Sequence, residues 1–389
     1  MPEHNQPWNE WVPGVLSKHQ IKEMVDAGAL KHLDLVDVDE SAVGLVLEKD
    51  AFEMIHGAIK PFDQDYEHFL ERSSVYAKSF QFEEETTLKP KTTYVFRLKL
   101  ELGPNLISSK RFYGQATGRS SVGRVDVLTR LIVNGMDQYE GFDPKGISTS
   151  NGKLFLEVTP ITFPVQVKPG IALSQLRIFL GSPSSALINA QDICKTALRN
   201  ADPDNDGYLS LQVQAETIGR TNKQAVAFRA NIEQQKTTAP IKLWTNEGLI
   251  KPKPEEHNWE MMPGQTDRNR DFVTIVPGYF HILRSKEELA VPLGAAVYCR
   301  PSDETIGEMR IHYAGFVHPG FGLHRGDNRK GTPLIFEVRG HDFHATLTHG
   351  EKLARLEFYR MSKDADDNGI GGEYEQQSLK LSKFFADWE

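Results

Sequence analysis

The sequence has little cysteine, no long apolar run and no excess of positive charge. Cys194 and Cys299 are too few for a disulfide framework or a zinc knuckle. No stretch approaches the roughly 18 apolar residues that cross a membrane. Residues 1–5 lack the basic and apolar regions of a secretory signal. A net charge of −8 argues against non-specific nucleic-acid binding, which needs a basic surface. We therefore expect a cytoplasmic globular protein with no nucleic-acid or membrane partner.

Helical patterns are also scarce. Ser17 and Gln20 form a capping-box pattern, and apolar residues at helical spacing follow as far as Gly28. A second periodic stretch covers residues 186–198. Short alternating runs separated by Gly, Pro, Asn and Asp make up most of the rest, as in residues 93–100, 154–158, 165–168 and 334–338. This pattern predicts a mainly β fold of the sandwich or barrel type.

An internal repeat organises the chain. Residues 154–179 align without a gap with residues 334–359, at a single offset. The coincident residues are Leu154 with Leu334, Glu157 with Glu337, Val158 with Val338, Phe163 with Phe343, Gly170 with Gly350, Leu173 with Leu353, and Leu176 with Leu356. Chance is a poor explanation for so many matches at one offset. We therefore expect a tandem duplication, with a first domain over residues 1–181 and a second over residues 182–389.

One acidic residue interrupts an apolar run in each copy. Glu157 lies within Leu-Phe-Leu-Glu-Val, and Glu337 lies within Leu-Ile-Phe-Glu-Val. Strand alternation could place either side chain on the solvent face of a sheet. Alternatively, the carboxylate projects from a rigid strand into a cleft, where desolvation raises its pKa and suits it to general-base chemistry. Both interpretations stay open, because a duplication copies structural residues as well as functional ones.

A polar segment of the first copy has the composition of an anion-binding turn. Residues 117–124 contain two arginines, three hydroxyl side chains and two glycines. Guanidinium groups, O–H donors and a closely approaching backbone suit phosphate oxygens. A solvated polar turn is the alternative interpretation.

These segments carry a resemblance to the family of dCTP deaminases and dUTP diphosphatases. Residues 118–124 resemble the Gly-Arg-Ser-Ser-x-x-Arg motif of dCTP deaminases, and residues 152–179 resemble the segment that follows it. In the second copy, residues 312–321 resemble the family's base-reading hairpin, and residues 374–383 resemble its closing tail. The resemblance is closest to the long, duplicated bacterial form of the family. It implies two copies of the dUTPase-like fold, a distorted jelly-roll of the β-clip type with a few short helices.

The resemblance also implies an activity and its residues. That activity is zinc-independent hydrolysis of the amino group of dCTP to give dUTP and ammonia. The resemblance further implies that Mg²⁺ is bound through the triphosphate and that the protein is a homo-oligomer, preferably a trimer. The implied catalytic residues are Glu157, Ser120 and Arg124, with Glu337 as the alternative base. The residues implied in nucleotide binding are Arg119, Ser121, Gln175, His312, Tyr313, Ala314, His318, Tyr374, Gln377 and Lys383. The zinc-deaminase signature is excluded, because it needs cysteines that this chain lacks.

The sequence departs from the family pattern at several positions. Gly44 stands where the family has an aspartate after its first helix. The hairpin aspartate aligns with Asn134 in the first copy and with His318 in the second. Glu308 aligns with Arg124, so the second copy lacks the arginine and hydroxyl cluster. The missing hairpin aspartate weakens the diphosphatase interpretation.

Three functions stay open at this point. They are dCTP deamination, nucleotide binding without turnover, and dUTP hydrolysis by a diphosphatase or a bifunctional enzyme. Since the best clamp lies in the first copy and the best hairpin and tail lie in the second, we hypothesise a composite site that needs both copies. The alternative is a homotrimer with sites only between first copies, in which the second copy is a scaffold.

Overall fold

The structure is a computed structural model of the chain. It describes residues 6–59, 65–72, 75–219, 222–302, 309–312, 315–324, 331–340, 342–367 and 378–388. Short strands dominate the described residues, and the helices are short. The predicted mainly β fold is therefore confirmed. Within these ranges, no helix is long and apolar enough to cross a membrane.

Among the residues that the structure describes, fourteen strands precede residue 181, the predicted end of the first copy. They are β1 (Gly14–Val15), β2 (Leu30–Lys31), β3 (Val38–Asp39), β4 (Ala42–Met54), β5 (Ala77–Gln81), β6 (Thr86–Leu88), β7 (Tyr94–Leu98), β8 (Glu101–Leu102), β9 (Phe112–Gly118), β10 (Val127–Val133), β11 (Gly141–Phe142), β12 (Leu154–Pro160), β13 (Val165–Val167) and β14 (Ala172–Leu180).

The second copy contains the remaining described strands. They are β15 (Leu198–Arg199), β16 (Tyr208–Ser210), β17 (Glu216–Ile218), β18 (Lys223–Ala225), β19 (Ala227–Asn231), β20 (Ile241–Lys242), β21 (Trp259–Met262), β22 (Gln265–Asp267), β23 (Arg270–Ile275), β24 (Tyr279–Leu289), β25 (Ala295–Pro301), β26 (Met309–His312), β27 (Phe316–Val317), β28 (Thr332–Gly340), β29 (Ala345–Thr348) and β30 (Lys352–Arg360).

The described helices precede or connect these strands. The α-helices are α1 (Lys18–Asp26), α2 (Tyr66–Arg72), α3 (Pro104–Ser109), α4 (Ser120–Gly123), α5 (Pro183–Ala186) and α6 (Ala190–Ala197). The 3-10 helices are Pro7–Asn9, Leu35–Asp37, Gly146–Thr149, Glu233–Thr237 and Pro254–His257.

Two helices were predicted from their caps and spacing. Helix α1 begins after Ser17, which forms a capping box with Gln20, and ends before Gly28, whose φ of +66° only glycine adopts easily. The second stretch, residues 186–198, is divided between α5 and α6. Leu187 has extended backbone angles, and the Asn189 side chain caps α6 by accepting a hydrogen bond from the Gln191 N–H.

In the first copy, one long strand joins two sheet segments. The order is β10-β12-β7-β4-β14-β9-β11, and the two halves of β4 pair with β14 and with β7. The second copy separates the same arrangement into two sheets. These are β21-β19-β24-β28-β26 and β16-β30-β25-β27, so that β16 and β19 share the role of β4.

A shared irregularity supports the duplication. Strand β14 is bulged between Ala172 and Ser174 where it pairs with β4, and β30 pairs with β16 through a bulge at the equivalent place, between Leu209 and Ser210. A bulge inserts one unpaired residue and re-aims the strand after it. Its recurrence at matching positions indicates that the two copies share their backbone geometry as well as their sequence pattern.

The two copies share a hydrophobic core. The largest buried cluster combines apolar residues of the first-copy sheet with Phe228, Trp259 and Phe280 of the second copy. Strand β13 pairs in parallel with β20, with Val165 opposite Ile241. Arg177 is fully buried and donates hydrogen bonds to the carbonyl oxygens of Val297 at 3.0 Å and Val317 at 3.3 Å. The copies therefore form one packed unit.

Candidate active site

The arginine and serine motif forms a tight turn at the end of β9. Arg119 precedes the short helix α4, and the Arg124 N–H donates to the Ser120 carbonyl oxygen at 3.0 Å. Ser120 is exposed, Ser121 is half-buried and Arg124 is 5% exposed. The turn therefore presents Ser120 to solvent and directs Arg124 into the protein.

Arg124 faces the glutamate of the second copy. The Arg124 Nε lies 3.9 Å from Glu337 Oε1, and both side chains are nearly inaccessible. Burial raises the pKa of Glu337 to about 8, although the positive charge of Arg124 opposes the shift and the negative charge of Asp126 reinforces it. A carboxyl group with this pKa can take up and release a proton near neutral pH.

The C-terminal segment lies against the same motif. The Ser382 hydroxyl donates to the Ser121 carbonyl oxygen at 2.7 Å, and Arg124 Nη1 lies 3.5 Å from the Lys380 carbonyl oxygen. Residues 380–382 of the tail therefore lie against the first-copy motif. Lys383 is half-buried beside them.

A second charged pair links the copies next to Arg124 and Glu337. Arg339 Nη2 donates to Asp126 Oδ1 at 2.9 Å, and the Thr162 hydroxyl donates to Asp126 Oδ2 at 2.5 Å. Glu337 and Arg339 lie two positions apart on β28 and therefore project from the same face of the strand.

Arg119 and His318 lie together on the other side of the motif. Arg119 Nη2 is 3.6 Å from Asp39 Oδ2, and His318 Nδ1 is 3.0 Å from the Ser41 hydroxyl. Desolvation lowers the pKa of His318 to about 4, and Asp39 opposes this shift while Arg177 and Arg119 add to it. A Cβ added to Gly44 would stand 2.6 Å from Arg119 Nη2, so glycine leaves room for this guanidinium group.

Glu157 occupies a different environment from its counterpart Glu337. Arg130, directly opposite on β10, donates to Glu157 Oε1 through Nε at 2.7 Å and also through Nη2. The Tyr139 hydroxyl lies 3.2 Å from Glu157 Oε2. Burial raises the pKa of Glu157, and Arg130 is the main group that opposes the shift. Both partners belong to the first copy, so this carboxylate is held in a local ion pair.

Helix α2 covers the region around Glu157. The Tyr66 N–H donates to Asn134 Oδ1 at 2.7 Å, and the Tyr66 ring packs edge-on against Phe155 with 5.7 Å between centroids. The Tyr139 hydroxyl also donates to the Ile59 carbonyl oxygen at 3.0 Å. Residues of the first copy therefore fill the space beside its own glutamate.

The remaining predicted residues are placed as follows. Gln175 is buried on β14, between Gly44 and Thr117 of the neighbouring strands. His312 lies opposite Glu337 on β26. Tyr313, Ala314, Tyr374 and Gln377 lie outside the described residues, as does Glu308.

The sheet register corrects one sequence comparison. Phe142 pairs with Gly114 and Val317 pairs with Val297, at equivalent positions of the two copies. The first-copy counterpart of His318 is therefore Asp143, and the alignment of the hairpin aspartate with Asn134 is wrong. Asp143 Oδ1 accepts hydrogen bonds from the N–H groups of Lys145 and Gly146, each at 2.8 Å. The connection before β11 is longer than the one before β27, and this displaced the alignment.

Sequence reasoning missed Arg130, Asp126 and Arg339. Arg130 interrupts the apolar run Val-Leu-Thr-Arg-Leu-Ile-Val, as Glu157 interrupts its own strand. Two opposite charges in neighbouring apolar strands were a usable signal of an ion pair. Asp126 and Arg339 each lie two positions beyond a predicted catalytic residue, and that spacing was the available indication.

A metal bound by protein side chains alone is not indicated in the described part of the chain. There, no group of three or more His, Cys, Asp and Glu side chains is arranged to hold a metal ion. The expected Mg²⁺ would not need such a cluster, because the triphosphate would supply its ligands.

Comparison with known proteins identifies the family. Residues 12–182 match the model of the 2′-deoxycytidine 5′-triphosphate deaminase N-terminal domain, and residues 185–385 match that of the C-terminal domain. The crystal structure of 2′-deoxycytidine 5′-triphosphate deaminase from Agrobacterium tumefaciens is similar, with a TM-score of 0.77 and 25% identity over 92% of this chain and 99% of that one. A search of curated proteins found no significant match. The predicted dUTPase-like fold in two domains is confirmed, and the chain belongs to the dCTP deaminase family of enzymes.

Proposed function

We propose that the protein hydrolyses the amino group of dCTP, giving dUTP and ammonia, at a composite site between its two copies. The first copy supplies Arg119, Ser120, Ser121 and Arg124. The second copy supplies Glu337 as the general base, together with the hairpin and the tail.

One observation carries this proposal. In a chain that belongs to the deaminase family, the motif arginine of the first copy faces the strand glutamate of the second, with 3.9 Å between Arg124 Nε and Glu337 Oε1. The tail contacts the same turn through Ser382. A base, a cation and a covering segment are the parts that such a hydrolysis needs.

Glu337 is a better base than Glu157. The carboxylate of Glu157 accepts two hydrogen bonds from Arg130 and lies beside Tyr139, so its oxygen atoms are already engaged by partners within the first copy. Arg124 lies farther from Glu337, at 3.9 Å, than Arg130 lies from Glu157, at 2.7 Å. Burial raises the pKa of Glu337 to about 8. A catalytic base works best with a pKa near the working pH.

The chemistry at this site balances as a simple hydrolysis. Glu337 takes a proton from a water molecule as the water oxygen bonds to C4 of cytosine, and this proton passes to N3 of the ring. The C4–N4 bond then breaks, and the proton of the new C4 hydroxyl group passes to the leaving nitrogen. Ammonia leaves, and a C4 carbonyl remains. Arg124 stabilises the ionised form of Glu337 during this cycle.

The reaction proposed here uses no zinc. A zinc deaminase would need the cysteine-containing signature that this chain lacks. Mg²⁺ arriving with the triphosphate would neutralise part of its charge, and Arg119 and Ser120 are accessible groups of the motif for phosphate contacts.

Paired substitutions test the assignment of the base. Glu337→Gln keeps the shape of the side chain and removes the base, so ammonia release from dCTP should fall about 10²–10⁴-fold. Glu157→Gln is the matched control, because it makes the same change at the duplicated position. We expect it to lower thermal stability through the loss of the Arg130 ion pair while the folded protein keeps most of its deaminase activity.

The opposite pattern would assign the base to Glu157 and contradict the composite site. Measurement of pyrophosphate alongside ammonia also distinguishes the other functions. Pyrophosphate without ammonia would indicate a diphosphatase, and tight nucleotide binding without either product would indicate a binding protein.

A further inference from the structure

Asp126 is a buried acid in an unusual backbone conformation. Its side chain is fully buried, and its φ of +54° lies in the left-handed region that L-residues rarely adopt. The Asp126 N–H donates to the Gly123 carbonyl oxygen at 2.8 Å, and the Asp126 carbonyl oxygen accepts from the Ile161 N–H at 2.9 Å. Both backbone polar groups of Asp126 are therefore hydrogen-bonded. These two bonds fix the turn that follows α4 and, through it, the position of Arg124.

The side chain of Asp126 connects this turn to the second copy. It accepts hydrogen bonds from Arg339 at 2.9 Å and from Thr162 at 2.5 Å. Arg339 is 14% exposed and lies two positions after Glu337 on β28. Two opposite-charge pairs thus connect the copies. Arg124 of the first copy faces Glu337 of the second, and Asp126 of the first copy binds Arg339 of the second.

The first copy lacks this arrangement around its own glutamate. At the repeat offset, the residue equivalent to Arg339 is Thr159, whose hydroxyl lies 2.9 Å from that of Thr93. The arginine two positions beyond the glutamate therefore occurs only beside Glu337, which is the glutamate that faces the motif.

We infer that Asp126 and Arg339 form a positioning pair that sets the separation of Arg124 and Glu337. The inference rests on the proposed function. Arg339 fixes β28 to the turn through Asp126, and the backbone of Asp126 fixes the turn itself. The pair acts on the reaction through Arg124 and Glu337.

Stability alone is a poor explanation for this pair. Burying two charges costs much of what their attraction returns, so buried ion pairs contribute little net stability, and their best-attested role is to fix register. Here the pair fixes the position of β28 in the second copy relative to the motif turn of the first copy, next to the proposed reacting groups.

Asp126→Asn is the most direct test. Asparagine tolerates the left-handed conformation and keeps the size of the side chain, but it loses the charge. A displacement of about 1 Å at the reacting groups can lower kcat about 10²-fold, and we expect a loss of this order with KM changed less than about threefold. Removing a negative charge near Glu337 should also move the rising limb of kcat/KM to lower pH. Arg339→Lys, which keeps the charge but loses the planar fork, is the second variant.

Controls separate a positioning role from a structural one. Arg97→Met breaks another partly buried arginine network, that of Asp50, Glu67 and Glu71, and should lower stability without moving the pH profile. In a Glu337→Gln background, Asp126→Asn should cause no further loss of the residual rate, because the base whose distance from Arg124 the pair sets is gone.

The outcomes distinguish the two proposals. If turnover of dCTP requires Glu337 but Asp126→Asn and Arg339→Lys keep kcat and the pH profile, the pair is structural and this inference is wrong while the proposed function stands. If kcat falls equally in Arg97→Met, the inference is also wrong. If the natural sequence releases no ammonia from dCTP, the proposed function fails and the inference falls with it.

Discussion

At the scale of single residues, the two duplicated glutamates differ through one cross-strand neighbour. Arg130 lies opposite Glu157, whereas His312 lies opposite Glu337. An arginine at that position forms a local ion pair, and its absence leaves the second glutamate to face Arg124 from the other copy. A single position on a neighbouring strand therefore distinguishes the surroundings of the two glutamates, and on this difference we base the proposal that Glu337 is the catalytic one.

The pH dependence of turnover should follow Glu337. Because the base must be ionised, kcat/KM for dCTP should rise with pH and level off above about 8. Arg124→Gln removes a nearby positive charge, so the pKa of Glu337 rises further and the rising limb should move to higher pH. A profile measured from about pH 6 to about pH 10 checks this. A shift to lower pH in Arg124→Gln, or a limb that moves in Glu157→Gln, would contradict the assignment.

Glu337 should also make the stability of the fold depend on pH, and stability should fall with rising pH whereas turnover rises. The pKa of Glu337 is 4.5 in the unfolded reference and about 8 in the folded protein, so folding favours the protonated form. The associated stability is complete below about 4.5 and is lost as the pH rises through about 8. Glu337→Gln should therefore raise the thermal midpoint at pH values above about 8 more than at acid pH. Equal shifts at both pH values would show that the buried carboxyl group is not strained by ionisation.

At the scale of elements, the C-terminal tail is a segment of the hydrophobic core that the two copies share. Leu379, Leu381, Phe384, Phe385 and Trp388 are buried and belong to the largest hydrophobic cluster. The Phe385 ring lies 6.1 Å from that of Phe163 and 5.4 Å from that of His257. Packing of these rings holds the backbone that contacts Ser121 and Arg124.

Phe385→Ala should therefore weaken both stability and activity. Removal of a buried phenylalanine costs about 3–5 kcal/mol. The matched control is Phe343→Ala. Phe343 is the repeat equivalent of the buried Phe163, yet it is 57% exposed, so its removal should change the free energy of unfolding by less than about 0.5 kcal/mol. Denaturant unfolding of both variants checks the contrast, and equal losses would show that the tail is not packed as described.

Part of this arrangement could be predicted from the sequence. The single repeat offset and the alternating runs predict two β domains. The structure places Glu157 and Glu337 on equivalent strands, β12 paired with β7 and β28 paired with β24. The choice between the two glutamates was out of reach, because it depends on which residue of β10 or β26 lies opposite each one. The misalignment of Asn134 has a similar cause, since unequal connections hide which residue of the first copy occupies the place of His318. Only the sheet register identifies Asp143.

At the scale of the whole molecule, the copies should unfold together. The core is continuous across both, β13 pairs with β20, and Arg177 is buried between them. We expect one cooperative calorimetric transition for the full chain, and we expect residues 1–182 alone to lack a stable fold and deaminase activity. Two well-separated transitions, or an active isolated first copy, would contradict the shared core.

The position of the tail also bears on how the protein is made. The ribosome synthesises Leu379–Trp388 after the rest of the second copy, although these side chains pack in the core that the two copies share. That core can therefore close only after residues 379–388 have been made, and part of its apolar surface stays uncovered until then. Exposed apolar surface makes a partly folded chain prone to aggregation. We therefore expect a premature stop codon in the tail to destabilise both copies.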